Sequence, residues 1–231
     1  MLPGPNQIVA CPYCRALECY ETLLSGNTFG SRFWTDGKQV APMLPEPPAV
    51  VKCHSCGGAY WLEDAQAVGT VSGWGPEDAG VDPAWNEAPP VEELNEDEYY
   101  AALQSGMCAD MDKERFLRLL AWWKRNDAYR ASESGPAPES PVPSGECRRN
   151  VDALLGLLCD GMTADDQLMK AELLRHLERF EDASAILFRI DDPEYRAPVD
   201  YLLSLCQRGD PHLRELILPG DSQPSGDDVP F

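Results

Sequence analysis

Two short stretches decide how this chain reads: IVACPYCRALE at residues 8–18 and VVKCHSCGGAYW at residues 50–61. Each carries a Cys-x-x-Cys tetrapeptide, Cys11–Cys14 and Cys53–Cys56, and 38 residues lie between the two pairs. Such a tetrapeptide bends so that both sulfurs face one point while backbone N–H groups are free to stabilise thiolate charge. Two of these turns brought together supply four thiolates in the tetrahedral arrangement that Zn²⁺ prefers. Pro12 stiffens the first turn, and Gly57-Gly58 gives the chain positive-φ freedom after the second. The spacing predicts one metal ion per chain bound by Cys11, Cys14, Cys53 and Cys56, with zinc as the expected ion and iron as the alternative. His54, inside the second pair, is expected to point away from the metal. Cys19 is expected to serve as a small buried apolar residue.

Around these pairs the chain is strand-like and rich in turns. Cys19–Leu24 and Thr28–Thr35 favour strands, and Asp36-Gly37 is a two-residue hairpin signal before Lys38–Val40. The four prolines of APMLPEPP (41–48) remove four backbone donors and preclude a regular ladder there. Val50–Lys52 and Ala59–Leu62 flank the second pair as short strands. Over residues 8–64 this pattern resembles a zinc ribbon, or the rubredoxin-like variant of that fold. The resemblance implies a small β-rich module closed by a four-cysteine site whose metal is structural. The sequence departs from the pattern in two ways: the segment between the pairs is long, and Arg15 stands where a glycine commonly follows the first pair.

Beyond residue 90 the period changes to that of helices. Helices are predicted over Glu92–Gln104, over Lys113–Tyr129 with Asp112 as N-cap, over Glu146–Cys159, and from Thr163 to about Leu177. Two more are expected over Phe180–Ile190 and Pro193–Arg208. Residues 166–195 resemble one tetratricopeptide-type helical hairpin, with Ala171, Leu174, Leu177, Phe180 and Ala183 at its packing positions. Lys170 stands where that pattern has a large apolar residue and Glu178 where it has the turn glycine, and an ordinary helix pair in a bundle fits the same residues. The expected fold class is α+β in parts: a zinc-ribbon-like module at 1–68, a linker at 69–90 packing through Trp74 and Trp85, and an all-α domain at 91–218. A Pro/Ser-rich loop at 131–145 interrupts that domain, and a disordered tail follows at 219–231.

Charge narrows the function. The 231 residues carry 39 acidic and 19 basic side chains, a formal net charge of −20. Only four basic and six acidic side chains fall in residues 1–70, so the excess acid belongs to the remainder. Binding a phosphate backbone or an anionic membrane depends on Lys and Arg, so nucleic-acid and membrane partners are disfavoured. The basic residues between Lys113 and Arg149 lie among acids and read as a salt-bridged, solvated face. No apolar run is long enough to span a membrane, and residues 1–14 lack the basic-then-apolar pattern of a signal peptide. Nine cysteines, four of them in CxxC pairs, favour a reducing cytoplasm.

No motif for hydrolysis, phosphate binding or dinucleotide binding is present, so no catalytic or organic-cofactor residue is assigned. The expected function is protein–protein interaction by a zinc-binding adaptor, with an aromatic patch of Phe29, Arg32, Phe33, Trp34 and Trp61 as one candidate surface. A rubredoxin-like iron electron carrier is the first alternative. CPYC is also the active-site tetrapeptide of glutaredoxins, so a glutaredoxin-like thiol oxidoreductase using Cys11-Pro12-Tyr13-Cys14 is a more distant one.

Overall fold

The structure is a computed structural model and describes residues 1–72, 82–131, 141–142, 145–158 and 163–216. Numbered along the chain, the strands are β1 (Leu2–Pro3), β2 (Asn6–Ala10), β3 (Leu17–Tyr20), β4 (Leu23–Ser25), β5 (Arg32–Trp34), β6 (Gln39–Val40), β7 (Val50–Lys52), β8 (Ala59–Trp61), β9 (Gln66–Val71), β10 (Glu92–Glu93) and β11 (Glu215–Leu216). The helices are α1 (Pro83–Asn86), α2 (Glu96–Gln104), α3 (Met111–Ala131), α4 (Glu146–Leu157), α5 (Ala164–His176), α6 (Phe180–Leu187) and α7 (Arg196–Gln207). The fold is mixed α+β. The chain forms two compact units, one of Met1–Ser31 with Val40–Arg125 and the other of Arg32–Gln39 with Asn126–Phe231.

The first unit holds the sheets β3-β2-β9 and β10-β7-β8 and the two-stranded pair β1-β4. β2 and β3 form one antiparallel hairpin, with Ala10 opposite Leu17, and β7 and β8 form another, with Lys52 opposite Ala59. One segment touches both sheets. Val91 donates its N–H to the Cys19 carbonyl at 2.8 Å, and Glu92 and Glu93 then pair with Lys52 and Val51. Trp85 of the expected linker lies where a side chain on Gly69 would be, so it packs on β9. Trp74 lies outside the described residues, as does most of the 131–145 loop and the whole 219–231 tail.

Helix α2 starts four residues later than the sequence suggests. Glu92 and Glu93 have helical propensity, but pairing along β7 and the ion pairs of Lys52 with Glu92 (3.0 Å) and Glu98 (2.8 Å) hold them extended. Asn95 becomes the N-cap, in a reciprocal capping box with Glu98. Helix α3 is likewise capped by Asp110, whose carboxylate accepts the Lys113 N–H at 2.8 Å, rather than by Asp112. Val50, Trp61, Leu94, Tyr99, Leu117 and Ala121 form the main core of this unit, and the Trp61 indole donates to the Met107 carbonyl at 3.1 Å.

The second unit packs α5, α6 and α7 around Ala171, Leu174, Ala183, Leu187, Val199, Leu202 and Leu205. Thr163 caps α5 in a box with Asp166, as its sequence indicates. The hairpin signal at Asp36-Gly37 also holds: Gly37 donates to the Trp34 carbonyl at 2.9 Å and has φ of 79°. β5 pairs with β11, from the far end of the described chain, through Trp34 opposite Glu215. Beneath that hairpin Asp36 is buried and accepts from Asn126 (2.8 Å) and from Arg130.

Both α5 and α7 end in the same backbone motif. After α7, Gly209 donates to the Cys206 carbonyl and Asp210 to the Leu205 carbonyl, with Gly209 at φ of 62°. After α5, Glu178 donates to Arg175 and Arg179 to Leu174, but here the left-handed residue is Glu178, at φ of 60°. A residue with a Cβ is disfavoured there by about 1–2 kcal/mol, partly offset by the entropy that glycine loses on folding. Glu178→Gly is therefore expected to stabilise the second unit by about 1 kcal/mol in urea unfolding. Destabilisation would show that the Glu178 side chain contributes contacts of its own.

Candidate metal centre

Each Cys-x-x-Cys pair sits in the turn of one hairpin, and the two turns have the same internal hydrogen bonds. In the first, Cys11 donates its N–H to the Ala16 carbonyl (2.9 Å) and accepts from the Arg15 N–H (3.0 Å). In the second, Cys53 donates to Gly58 (3.0 Å) and accepts from Gly57 (2.9 Å). The fifth residue of each turn is left-handed, Arg15 at φ of 66° and Gly57 at 70°. The departure noted at Arg15 is thus a strained residue doing what glycine does in the other turn. Its guanidinium is held by the Gln66 side chain.

The turns meet with the four sulfurs of Cys11, Cys14, Cys53 and Cys56 within 4.8 Å of one another. Cross-turn approaches are 3.6 Å for Cys14 to Cys53 and 3.9 Å for Cys11 to Cys56. A tetrahedral Zn²⁺ with Zn–S bonds of about 2.3 Å spaces its sulfurs about 3.8 Å apart, so the donor set fits that ion. Cys11 and Cys53 are buried, while Cys14 and Cys56 reach the surface. His54 is exposed and outside the cluster, and the Cys19 thiol donates to the Ala88 carbonyl at 3.2 Å.

Backbone amides point at the sulfurs in matched fashion. Cys11 receives those of Tyr13 and Cys14, and Cys53 those of Ser55 and Cys56. Burial nevertheless pushes both thiols up from their ordinary value. At the exposed Cys14 the amide of Ala16 dominates and brings the thiol down to about 7. The amides favour the thiolate form that a metal requires.

A residue that sequence reading passed over supports the cluster. Glu18 on β3 is wholly buried, and its carboxylate accepts the His54 N–H at 2.7 Å and the Tyr60 hydroxyl at 2.6 Å. The first contact ties β3 of one hairpin to the turn of the other. Tyr13 makes the reciprocal link, donating to the Ala59 carbonyl at 3.1 Å. Glu18→Ala leaves a buried phenol and a turn amide unpaired, and outer-shell losses of this kind cost metal sites about 10–100-fold in affinity. Competition with a chromogenic chelator is expected to show a loss in that range. Wild-type affinity in the variant would remove Glu18 from the account.

Two sequence expectations do not survive the geometry. Trp34 and Trp61 are 7% and 5% exposed, so the proposed aromatic patch is split by the burial of its two largest members. The CPYC tetrapeptide leads into strand β3, not into a helix, and Cys11 is 0% exposed. A glutaredoxin-type nucleophile needs a helix N-terminus and access to solvent, and Cys11 has neither. The salt-bridged face expected on the middle helices is present, with Lys113–Glu63, Arg118–Glu114, Lys124–Glu93 and Arg149–Glu146 pairs.

Two β-hairpins with cysteine pairs in their turns define a four-cysteine cluster within metal-binding distance, compatible with a zinc-ribbon-like site. No protein-family model matches the chain, and no curated protein and no solved structure matches it. Among the described residues no helix is long and apolar enough to cross a membrane.

Proposed function

We propose that Cys11, Cys14, Cys53 and Cys56 hold one structural zinc ion and that the protein is a cytoplasmic adaptor working through protein–protein contacts. The observation that carries the metal reading is the matched pair of hairpin turns, each aiming amides at its sulfurs and together presenting four of them at tetrahedral spacing. Four thiolates fill the coordination sphere and leave no position for water or substrate, which favours a structural over a catalytic ion. The adaptor reading draws on the helical unit, whose α5–α6 pair resembles a single tetratricopeptide-type hairpin and offers packing surface rather than a reaction centre. Thiolates of this kind persist in a reducing compartment.

Iron in the same four-thiolate cage is the second reading, since tetrahedral sulfur accepts either ion. Colour separates them. The purified protein is expected to be colourless, and as bait to keep its partners after the metal is stripped, because the helical unit that offers the surface does not depend on the ion. A visible thiolate-to-iron absorption that bleaches on reduction would replace the adaptor with an electron carrier.

A further inference from the structure

Among the described cysteines, Cys14 and Cys56 alone are exposed. Cys11, Cys53, Cys147 and Cys206 are buried, and Cys19 and Cys108 are partly so. The two exposed thiols both belong to the four-cysteine cluster, one from each turn. Each touches the buried sulfur of the opposite turn, Cys14 that of Cys53 at 3.6 Å and Cys56 that of Cys11 at 3.9 Å. Hydrogen bonds also hold the turns against one another, from the His54 amide to Glu18 and from Tyr13 to the Ala59 carbonyl. An accessible thiolate with a second sulfur in contact is the arrangement by which cysteines respond reversibly to oxidants.

We propose that the cluster is a redox switch: hydrogen peroxide oxidises Cys14 and Cys56, Cys53 and Cys11 close two disulfides between the turns, and the metal leaves. The inference rests on the zinc reading and names how that site is regulated. A metal-bound sulfur is already a thiolate, so no proton has to leave before it attacks. The Cys14 sulfur displaces hydroxide from peroxide; the O–O bond breaks and an S–O bond forms, giving the sulfenic acid. The Cys53 thiolate attacks that sulfur, an S–S bond forms, and a second hydroxide leaves with the S–O electron pair. Cys56 and Cys11 repeat both steps. Four sulfurs thus give four electrons to two molecules of peroxide, with release of four hydroxides. The ion keeps its charge and loses its four donors.

Treating the zinc-loaded full chain with hydrogen peroxide beside a chromogenic zinc indicator, followed by digestion and mass-spectrometric disulfide mapping, tests this. One equivalent of zinc is expected to be released, with disulfides joining residues 11–14 to residues 53–56. Dithiothreitol with added zinc is expected to restore the starting mass and metal content. Amide exchange over residues 10–17 and 52–59 is expected to stay slower in the oxidised protein than in reduced protein stripped by a chelator, because covalent links stand in for the ion. Zinc retained under peroxide, or disulfides confined within each turn, would overturn the switch and leave the zinc site standing. A chain that takes up no zinc would overturn both.

Discussion

Stripping the metal with a chelator is expected to unfold the two cysteine hairpins of the first unit while the helices of the second unit persist. Among the described residues the apolar cluster around the site holds four buried members, Cys11, Val51, Cys53 and Tyr60, and two of these are ligands. The strands that frame it are three to five residues long, too short to be stable as isolated hairpins. Structural zinc sites contribute apparent binding energies of about 10–16 kcal/mol, against about 5–15 kcal/mol for the net stability of a whole domain. No other interaction in these hairpins approaches that size. Amide exchange over residues 10–17 and 52–59 is expected to accelerate on chelation, with loss of the near-UV signal of Tyr60. Unchanged exchange would show that the hairpins stand without metal.

Acid is expected to act in the same direction, because protons compete with the metal for thiolate sulfur. With the ion lost, the thiols of Cys11, Cys53 and Cys56, all raised from their ordinary value, take up protons before that of Cys14, which is lowered. The metal-bound state is favoured at high pH and lost as pH falls.

The second large effect lies in the helical unit. Arg175 is buried against Glu172, with its Nε 2.7 Å from the carboxylate, and it also donates to the carbonyls of Asp210 and His212 (2.9 Å for the latter). His176 Nε2 lies 3.0 Å from the same carboxylate. Burial by itself disfavours ionised Glu172, but Arg175 and His176 outweigh it and hold its carboxyl well below the usual range. Removing one partner of a buried pair costs about 3–5 kcal/mol, because the remaining charge is left without its counterion. Arg175→Met is expected to destabilise this unit by that amount. Trp34 is the only tryptophan of the unit, in a core with Tyr129 and Leu213, and its fluorescence reports the transition.

The sign with pH follows from the depressed carboxyl. The stabilisation is full above the ordinary carboxylate range and is lost only as pH falls through the lower native value. The difference between the wild type and Glu172→Gln is therefore expected to be large at neutral pH and to shrink in strong acid. A replacement of Arg175 that leaves urea unfolding unchanged would remove the pair from the stability account.

Much of the metal centre was legible because its information is local. Two cysteines and a following turn residue form each knuckle, and their six-residue loops look alike in sequence and in structure. Arg15 and Glu178 could be picked out as residues in glycine positions, and both are left-handed. The Thr163 cap and the Asp36-Gly37 turn are equally short-range.

What escaped sequence reading depends on distant partners. Glu18 alternates along a strand as a solvent-facing acid would, and only Tyr60 and the His54 amide, brought from the other hairpin, make it a buried one. Glu92 and Glu93 are extended because β7 is beside them. The hairpin at 32–39 groups with the helical unit because its strand partner is β11 and its buried acid meets Arg130, and neither is visible from the hairpin's own residues.

Elemental analysis of the purified wild type beside Cys53→Ser tests the central claim most directly. The account predicts one zinc per wild-type chain and loss of that zinc in the variant. A wild type without bound metal, or a variant that keeps its full complement, would contradict it.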